Sequence, residues 1–305
     1  MGKTFILTLG LLFLTFSNAQ KVALKLDLKK GEEYKQHTYS EATIVQEVNG
    51  LEMNFVVTVK GSMSYLVKEV NDQGYDMDVK YEKLSMSMQL PQGSMEFSSE
   101  SSDEQDIFSK MLAQMKNKPF QVTMTSKGKI TEVKNIEMLF ESVFNYFPEI
   151  PESQMAQMKD QLMNAYGAKA LKGSIEMVTA IYPDQTVAKG ESWLIETKLE
   201  SGMSADMTTT YKFTEDNPDY YLIVGDSKIQ TADKDAYIES NGMPMKYDLT
   251  GNMSSEIKVD KVSGWIIKAE IKQEIEGDAY IKRNQQIPED MKIPMLMKNH
   301  LIFTN

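Results

Sequence analysis

The chain of 305 residues contains no cysteine, only two histidines, His37 and His300, and only two tryptophans, Trp193 and Trp265. Without cysteine there is no disulfide, thiol nucleophile, zinc–thiolate site, iron–sulfur cluster or lipid-modified cysteine anchor. Basic charge is also short: 33 Lys and Arg stand against 44 Asp and Glu, a formal charge of −11. That balance speaks against a nucleic-acid partner, or an anionic membrane held by charge, because phosphate binding needs a basic face. No Gly-x-Ser-x-Gly elbow and no phosphate-cradling Gly-rich loop occurs. Past residue 19 no apolar run approaches the roughly 20 residues that span a bilayer. With 41% hydrophobic and 25% charged residues, the composition is that of a folded globular protein.

Residues 1–19 read as a secretory signal, with Lys3 in the positive region, an apolar run from Phe5 to Phe16, and Ser17-Asn18-Ala19 as the cleavage site. Gln20 is the expected mature start, so the chain is expected in a periplasm or outside the cell, with no transmembrane segment in its mature part.

Period-two alternation dominates the chain from Lys21 onward. Val22, Leu24, Leu26 and Leu28 alternate with Ala23, Lys25, Asp27 and Lys29. Met53, Phe55, Val57, Val59, Gly61, Met63, Tyr65 and Val67 share a face, a strand expected to bend at the glycine. After Tyr75, Met77, Val79 and Tyr81 the apolar parity switches to Leu84, Met86, Met88 and Leu90, which places a β-bulge near Lys83. Trp265 through Gly277 again shows one dry and one wet face, the mark of antiparallel sheets.

Helical spacing is confined to the middle. Ser102 to Gln105 forms a capping box before Ile107, Phe108, Met111, Leu112 and Met115, so a helix is expected over 103–117. Asn135 is placed to cap a second helix carrying Ile136, Leu139, Phe140, Val143, Phe144 and Phe147, broken by Pro148 and Pro151. A third is expected from Glu152 to Lys172, with Met155, Met158, Leu162 and Tyr166 on one side and Gly173 as its stop.

A weak internal repeat is visible. Lys30-Gly31-Glu32-Glu33-Tyr34 returns as Lys189-Gly190-Glu191-Ser192-Trp193, and Met63-Ser64-Tyr65 is answered by Thr209-Thr210-Tyr211. Ser126 to Ile130 is echoed by Val262 to Ile266. The organisation expected is a signal over 1–19, a first β-meander over 20–134 with its helical insertion, a helical segment over 135–173, and a second β-meander over 174–305.

The extended Leu-rich start, Lys30-Gly31-Glu32-Glu33-Tyr34, Ile181-Tyr182-Pro183 and Lys189-Gly190-Glu191-Ser192-Trp193 together resemble an uncharacterised family of secreted bacterial proteins about 300 residues long. That resemblance implies no established activity. In architecture alone, amphipathic strands plus a few apolar helices are similar to the periplasmic lipoprotein carriers, whose curved sheet wraps a greasy cavity; fold analogy transfers no function.

Candidate chemistry is sparse. The 23 methionines include Met86-Ser87-Met88, Met243-Pro244-Met245 and Met295-Leu296-Met297. Such pairs suit Cu(I), but they continue apolar stripes without His or Cys and read as core or cavity lining. Asp233-Lys234-Asp235 with Glu239, and Asp216 with Asp219, lack calcium-loop spacing and read as turns. A hydrolytic serine needs a base, and only His37 and His300 are available. The two tryptophans, each just after a glycine that starts a strand, read first as packing and second as the floor of a cavity.

The expected fold is a β-dominated α+β protein: a duplicated, curved antiparallel sheet or half-barrel with mid-chain helices on its concave face. The leading expectation is a non-enzymatic envelope protein that holds a lipid or other apolar small molecule between that face and the helices. Its ligand lining would be Phe55, Val57, Tyr65, Met86, Met88, Phe144, Met158, Trp193, Tyr211 and Trp265, with no catalytic residue, metal or cofactor assigned. The alternatives are a structural or interaction module with a filled core that meets an envelope protein, and a carboxylate-dependent hydrolase.

Overall fold

The computed structural model describes residues 20–48, 50–148, 150–200, 204–240, 243–283, 287 and 289–305. The expected signal segment therefore lies outside the described residues.

Among the described residues thirteen strands form one antiparallel sheet. In chain order they are β1 (Glu33–Val48), β2 (Leu51–Asn71), β3 (Gly74–Leu90), β4 (Gly93–Ser98), β5 (Phe120–Met124), β6 (Ile130–Lys134), β7 (Ser192–Glu200), β8 (Ser204–Asp216), β9 (Tyr220–Thr231), β10 (Ile238–Ser240), β11 (Met243–Asp260), β12 (Ile266–Ile281) and β13 (Met291–Thr304). The helices are α1 (Ile107–Met115), α2 (Ile136–Phe144), α3 (Glu152–Tyr166) and α4 (Ala168–Thr179). Across the sheet the order is β6-β5-β3-β2-β1-β13-β12-β11-β9-β8-β7, with β4 beside β3 and β10 beside β11. Apart from β4 and β10, the spatial order of β1 to β6 is thus repeated by β7 to β12, with β13 between the two sets.

The alternating sequence explains the strands, and the bulge falls where parity switches. Ser62 faces Lys83 while Met63 faces Tyr81, so Glu82 is the extra residue that turns Leu84, Met86 and Met88 to the apolar side. The β1–β2, β3–β4 and β12–β13 connections lie at one end of the sheet. The β2–β3, β5–β6, β8–β9 and β11–β12 turns lie at the other, together with the helices.

The sheet curls. Eleven strands laid flat at about 4.8 Å spacing would measure roughly 48 Å from β6 to β7. Yet α4, twelve residues and about 18 Å long, packs against both of these edge strands. Its end is pinned on each side. Glu176 accepts from Ile130 N at 2.6 Å and Thr179 Oγ1 donates to Gly128 O at 2.7 Å, while Trp193 Nε1 donates to Ile181 O at 2.9 Å. The two edges never pair, so the sheet is an open, curled one whose seam a helix covers.

Four expectations are corrected. Residues 22–28 are extended, but they form a strap across the core and not a ladder strand; only Val22 makes a bridge, to Val187. The first helix is capped by Asp106, whose carboxylate accepts from Ser109 N at 3.0 Å, one turn later than the Ser102 box. Asn135 precedes α2 in the left-handed region (φ 65°) and makes no side-chain cap. The third helix breaks at Gly167 and resumes as α4 straight through Gly173, which has nothing within 4 Å of its would-be Cβ.

The strap packs Leu24, Leu26 and Leu28, each at most 2% exposed, worth roughly 2 kcal/mol apiece. Its backbone is bonded to both halves: Leu26 N donates to Ser126 O (2.9 Å) and Asp27 N to Ser263 O (2.7 Å). The Tyr75 hydroxyl accepts from Leu28 N and donates to Leu26 O. Gly264, at φ +69°, lies so close that a Cβ would fall 2.2 Å from Lys25 O. Gly31, at φ +86°, meets nothing. Gly31→Ala should therefore cost only left-handed strain, about 1–2 kcal/mol, whereas Gly264→Ala must also displace the strap and should cost about 3 kcal/mol or more. Chemical denaturation checks the difference, and hydrogen exchange at Asp27 N–H should accelerate in the second variant alone.

Candidate ligand-binding face

The inward parity of the sheet carries no Asp, Glu, Lys, Arg or His. This holds for β1 from Gln36 to Val48, β2 from Leu51 to Val67, β3 from Leu84 to Leu90, β8 from Ala205 to Phe213 and β9 from Ile223 to Thr231. It holds equally for β11 from Met243 to Val259, β12 from Ala269 to Ile281 and β13 from Met291 to Phe303. The charges sit on the opposite parity, where Lys298 pairs with Glu274 (3.2 Å) and Lys272 with Glu270 (3.2 Å).

The end under the helices is filled by the protein itself. Phe120, Phe140, Met111, Leu112 and Met115 have no exposed surface, and they join the strap leucines in one continuous core. The expected ligand-lining residues divide between this core and the open end. Tyr65 and Trp265 are buried with ring centroids 5.1 Å apart, and Trp265 Nε1 donates to Lys35 O. Tyr211 is buried under the Trp193 ring at 6.0 Å, Phe144 is 8% exposed, and Met158 packs on the same core half-buried. A charge placed at Phe144 would therefore test folding before ligand binding.

Phe55, Val57, Met86 and Met88 lie elsewhere, on the half of β2 and β3 beyond the helices. Register makes them one patch. Ala42 faces Val57, Val57 faces Met88, and Met88 faces Met95, which is 42% exposed. One row on, Met297 faces Ile44 and Ile44 faces Phe55. These β1–β4 side chains are half-exposed and do not pack on the buried core. They form a contiguous, methionine-rich apolar face whose flexible side chains adapt in shape.

Toward the second half of the sheet this face acquires polar groups. Thr209 and Ser227 share a hydrogen bond at 2.8 Å, and Asn299 Nδ2 donates to Gln273 Oε1 at 2.6 Å. Sequence reasoning misses Asn299 as a site residue. Its signal is there all the same: it interrupts Met295, Met297, Leu301 and Phe303, as Gln273 interrupts Ile271 and Ile275.

Two concavities elsewhere carry charged side chains. A groove of about 840 Å³ on the outer face runs from Glu41 to Thr208 past Lys228, Lys272, Lys298 and His300. Lys272 and Lys298 there pair with Glu270 and Glu274, and Glu270 is held below the ordinary carboxylate range by hydrogen bonds from Lys272 and His300. A cleft of about 860 Å³ at the seam brings Lys21, Lys127 and Lys129 to Trp193; burial pushes the Lys127 ammonium pKa down. His37 Nδ1 lies 2.7 Å from Ser62 Oγ on the exposed face, a pair that cross-strand register alone creates. Among the described residues no carboxylate bonds to that imidazole. Nor do any three or more acids and histidines converge there as a metal site. Asp216 is paired with Lys261 and Asp235 with Lys246, consistent with turn and surface roles.

The chain belongs to the family of unknown function DUF6263, whose pattern matches residues 72–266. No curated protein matches it. Among solved structures, one of lipovitellin and its lipid–protein interactions is similar at 10% identity and a TM-score of 0.49, over 91% of this chain and 25% of that one. This chain thus spans about a quarter of the lipovitellin chain. An outer-membrane channel from Pseudomonas putida F1 is similar at 7% identity and TM-score 0.22, covering 90% of this chain and 97% of that chain. OmpT of Vibrio cholerae is similar at 7% identity and TM-score 0.16, over 92% and 99%. Among the described residues no helix is long and apolar enough to cross a membrane.

Burial pushes the Tyr211 hydroxyl pKa up to about 12, and that of Tyr166 likewise to about 12. An unfolded tyrosine titrates near 10, so the folded state favours the neutral form. That stabilisation is complete below about pH 10 and lost as pH rises through about 12. Denaturant midpoints followed by circular dichroism should fall across this window. Tyr211→Phe should flatten the fall while changing neutral-pH stability by about 1 kcal/mol or less.

Proposed function

We propose that this protein is a non-enzymatic binding module of the cell envelope, exported by its first 19 residues, that holds an apolar molecule against the uncovered part of its inner face. The observation that carries this reading is the contiguous patch of Ile44, Phe55, Val57, Met86, Met88 and Met95, apolar across four strands and free of charge. Apolar area removed from water contributes about 25 cal/mol per Å², so covering such a face favours any greasy partner of matching shape. The helices do not act as a lid over the ligand in this reading. They fill the other end of the sheet and hold its curvature, and the ligand lies beyond them on β1–β4.

The filled core under the helices favours a second reading, in which the patch is the meeting surface of an envelope protein and no small molecule is bound. The two readings differ in what travels with the protein. Native mass spectrometry of protein purified gently from its own envelope, followed by organic extraction, should show a stoichiometric lipid-like adduct. Val57→Asp should abolish the adduct, and Thr58→Asp, on the opposite face of the same strand, should keep it. A clean apo mass, with cross-linking in the envelope to one protein through Met88 or Met95, would replace the first reading by the second.

A further inference from the structure

On the reading that the inner face holds a ligand, we infer that this ligand is an electrically neutral amphiphile with a hydrogen-bond donor at its polar end, received by Asn299. Three observations converge on it. The first is the absence of Asp, Glu, Lys, Arg and His from the inward parity of the strands on both sides of the patch. A carboxylate or ammonium drawn onto that face would be desolvated with no countercharge, which is costly enough to exclude it.

The second is an orphaned acceptor. Asn299 directs its amide N–H groups to Gln273 Oε1 at 2.6 Å and Met297 Sδ at 3.6 Å. Its carboxamide oxygen is shut off from solvent and has no hydrogen-bond partner. Such a group costs its full desolvation and calls for an explanation. A ligand hydroxyl or amide N–H supplies the missing donor, whereas an ether, a thioether or a hydrocarbon does not. Gln273, 8% exposed, holds the amide in orientation from the neighbouring strand.

The third is position. Asn299 faces Ala42, which faces Val57, which faces Met88, so the orphaned oxygen stands at the head of the row that runs out into the uncovered patch. A ligand lying along that row places its chain on Val57 and Met88 and its polar end at Asn299. Met297 beside the amide and Met253 opposite Gln273 are the side chains that must give way. Methionine turns about three bonds without moving backbone, so access needs no strand displacement.

Competition against Nile red, an uncharged dye, tests this on the full mature chain with three probes built on a ten-carbon chain, each kept below its solubility or micelle limit: 1-decanol, decyl methyl ether and decanoate at pH 8. One added net hydrogen bond corresponds to about a fivefold gain in affinity, so 1-decanol should displace the dye at about a fifth of the ether concentration. Decanoate should be the weakest. Asn299→Leu should bring 1-decanol to the level of the ether and leave the ether unchanged, which also shows that the face remains folded. Asn299→Ser, whose side chain is too short to reach, should do the same. Equal binding of alcohol and ether by the unaltered protein, or a preference that survives both variants, would overturn the headgroup assignment while dye uptake still upheld the apolar face. Failure of the dye and all three probes to bind would instead overturn the ligand-holding reading on which the assignment rests.

Discussion

Seven residues that belong to no strand of the sheet determine how the rest is arranged. The strap from Val22 to Leu28 crosses the core and donates a hydrogen bond to each half of the sheet, at Ser126 O and at Ser263 O. Both ends of that tie are turns, and turns on separate halves have no sheet pairing to hold them together. The Tyr75 hydroxyl binds the strap from β3, and the Tyr182 hydroxyl donates to Gly264 O on the turn against which the strap is pressed. Three buried leucines complete the join. Once the strap and helices occupy that end of the inner face, no room is left there for anything else. Uncovered inner face remains only further down the strands.

The division of labour between the ends follows from how a curled sheet satisfies its edges. Unpaired edge strands invite foreign strands, and here β6 and β7 share one helix as their cover. In turn, α4 must be anchored to both. Glu176 does part of this by accepting the Ile130 amide, although burial raises its carboxyl pKa and so opposes the ionised form. The other end is left with long two-faced ribbons, wet outside and dry inside. The outer face gains little from its exposed ion pairs, each worth about 0–1 kcal/mol; their service is to keep that face in water and define which side is in.

Much of the architecture is legible in the alternation. Strict period-two sequences leave a strand one choice of inward face, so β2, β3 and β12 and even the bulge at Glu82 are visible in the residues. The strap reads as a strand for the same reason: Val22, Leu24, Leu26 and Leu28 alternate as a strand does, but pairing is decided by which neighbours arrive, and here turns arrive in place of strands. Helix ends differ from expectation where local signals compete. Asp106 wins over Ser102 as the cap, and Gly167, not Gly173, breaks the long helix, because packing on β6 and β12 continues α4 past Gly173. The site divides along similar lines. Phe55, Val57, Met86 and Met88 can be named because apolar parity marks an inner face, but nothing in a sequence says which part of that face the protein covers with its own helices. Hence Tyr65, Phe144 and Trp265 group with them by pattern and lie in the filled core instead.

The place of β13 bears on how such a chain can mature. It is the last strand in sequence and the sixth of eleven in space, seated between β1 and β12. Until residues 291–304 are available, the two halves share no backbone ladder, and the earliest strand waits for the latest across nearly the whole length of the chain. Closure of that kind is non-local and slow. A chain emerging residue by residue can pair the strands of each half among themselves and join the halves only when this last strand arrives. The price is a period when two open ribbons, each with a greasy face, await the strand that joins them.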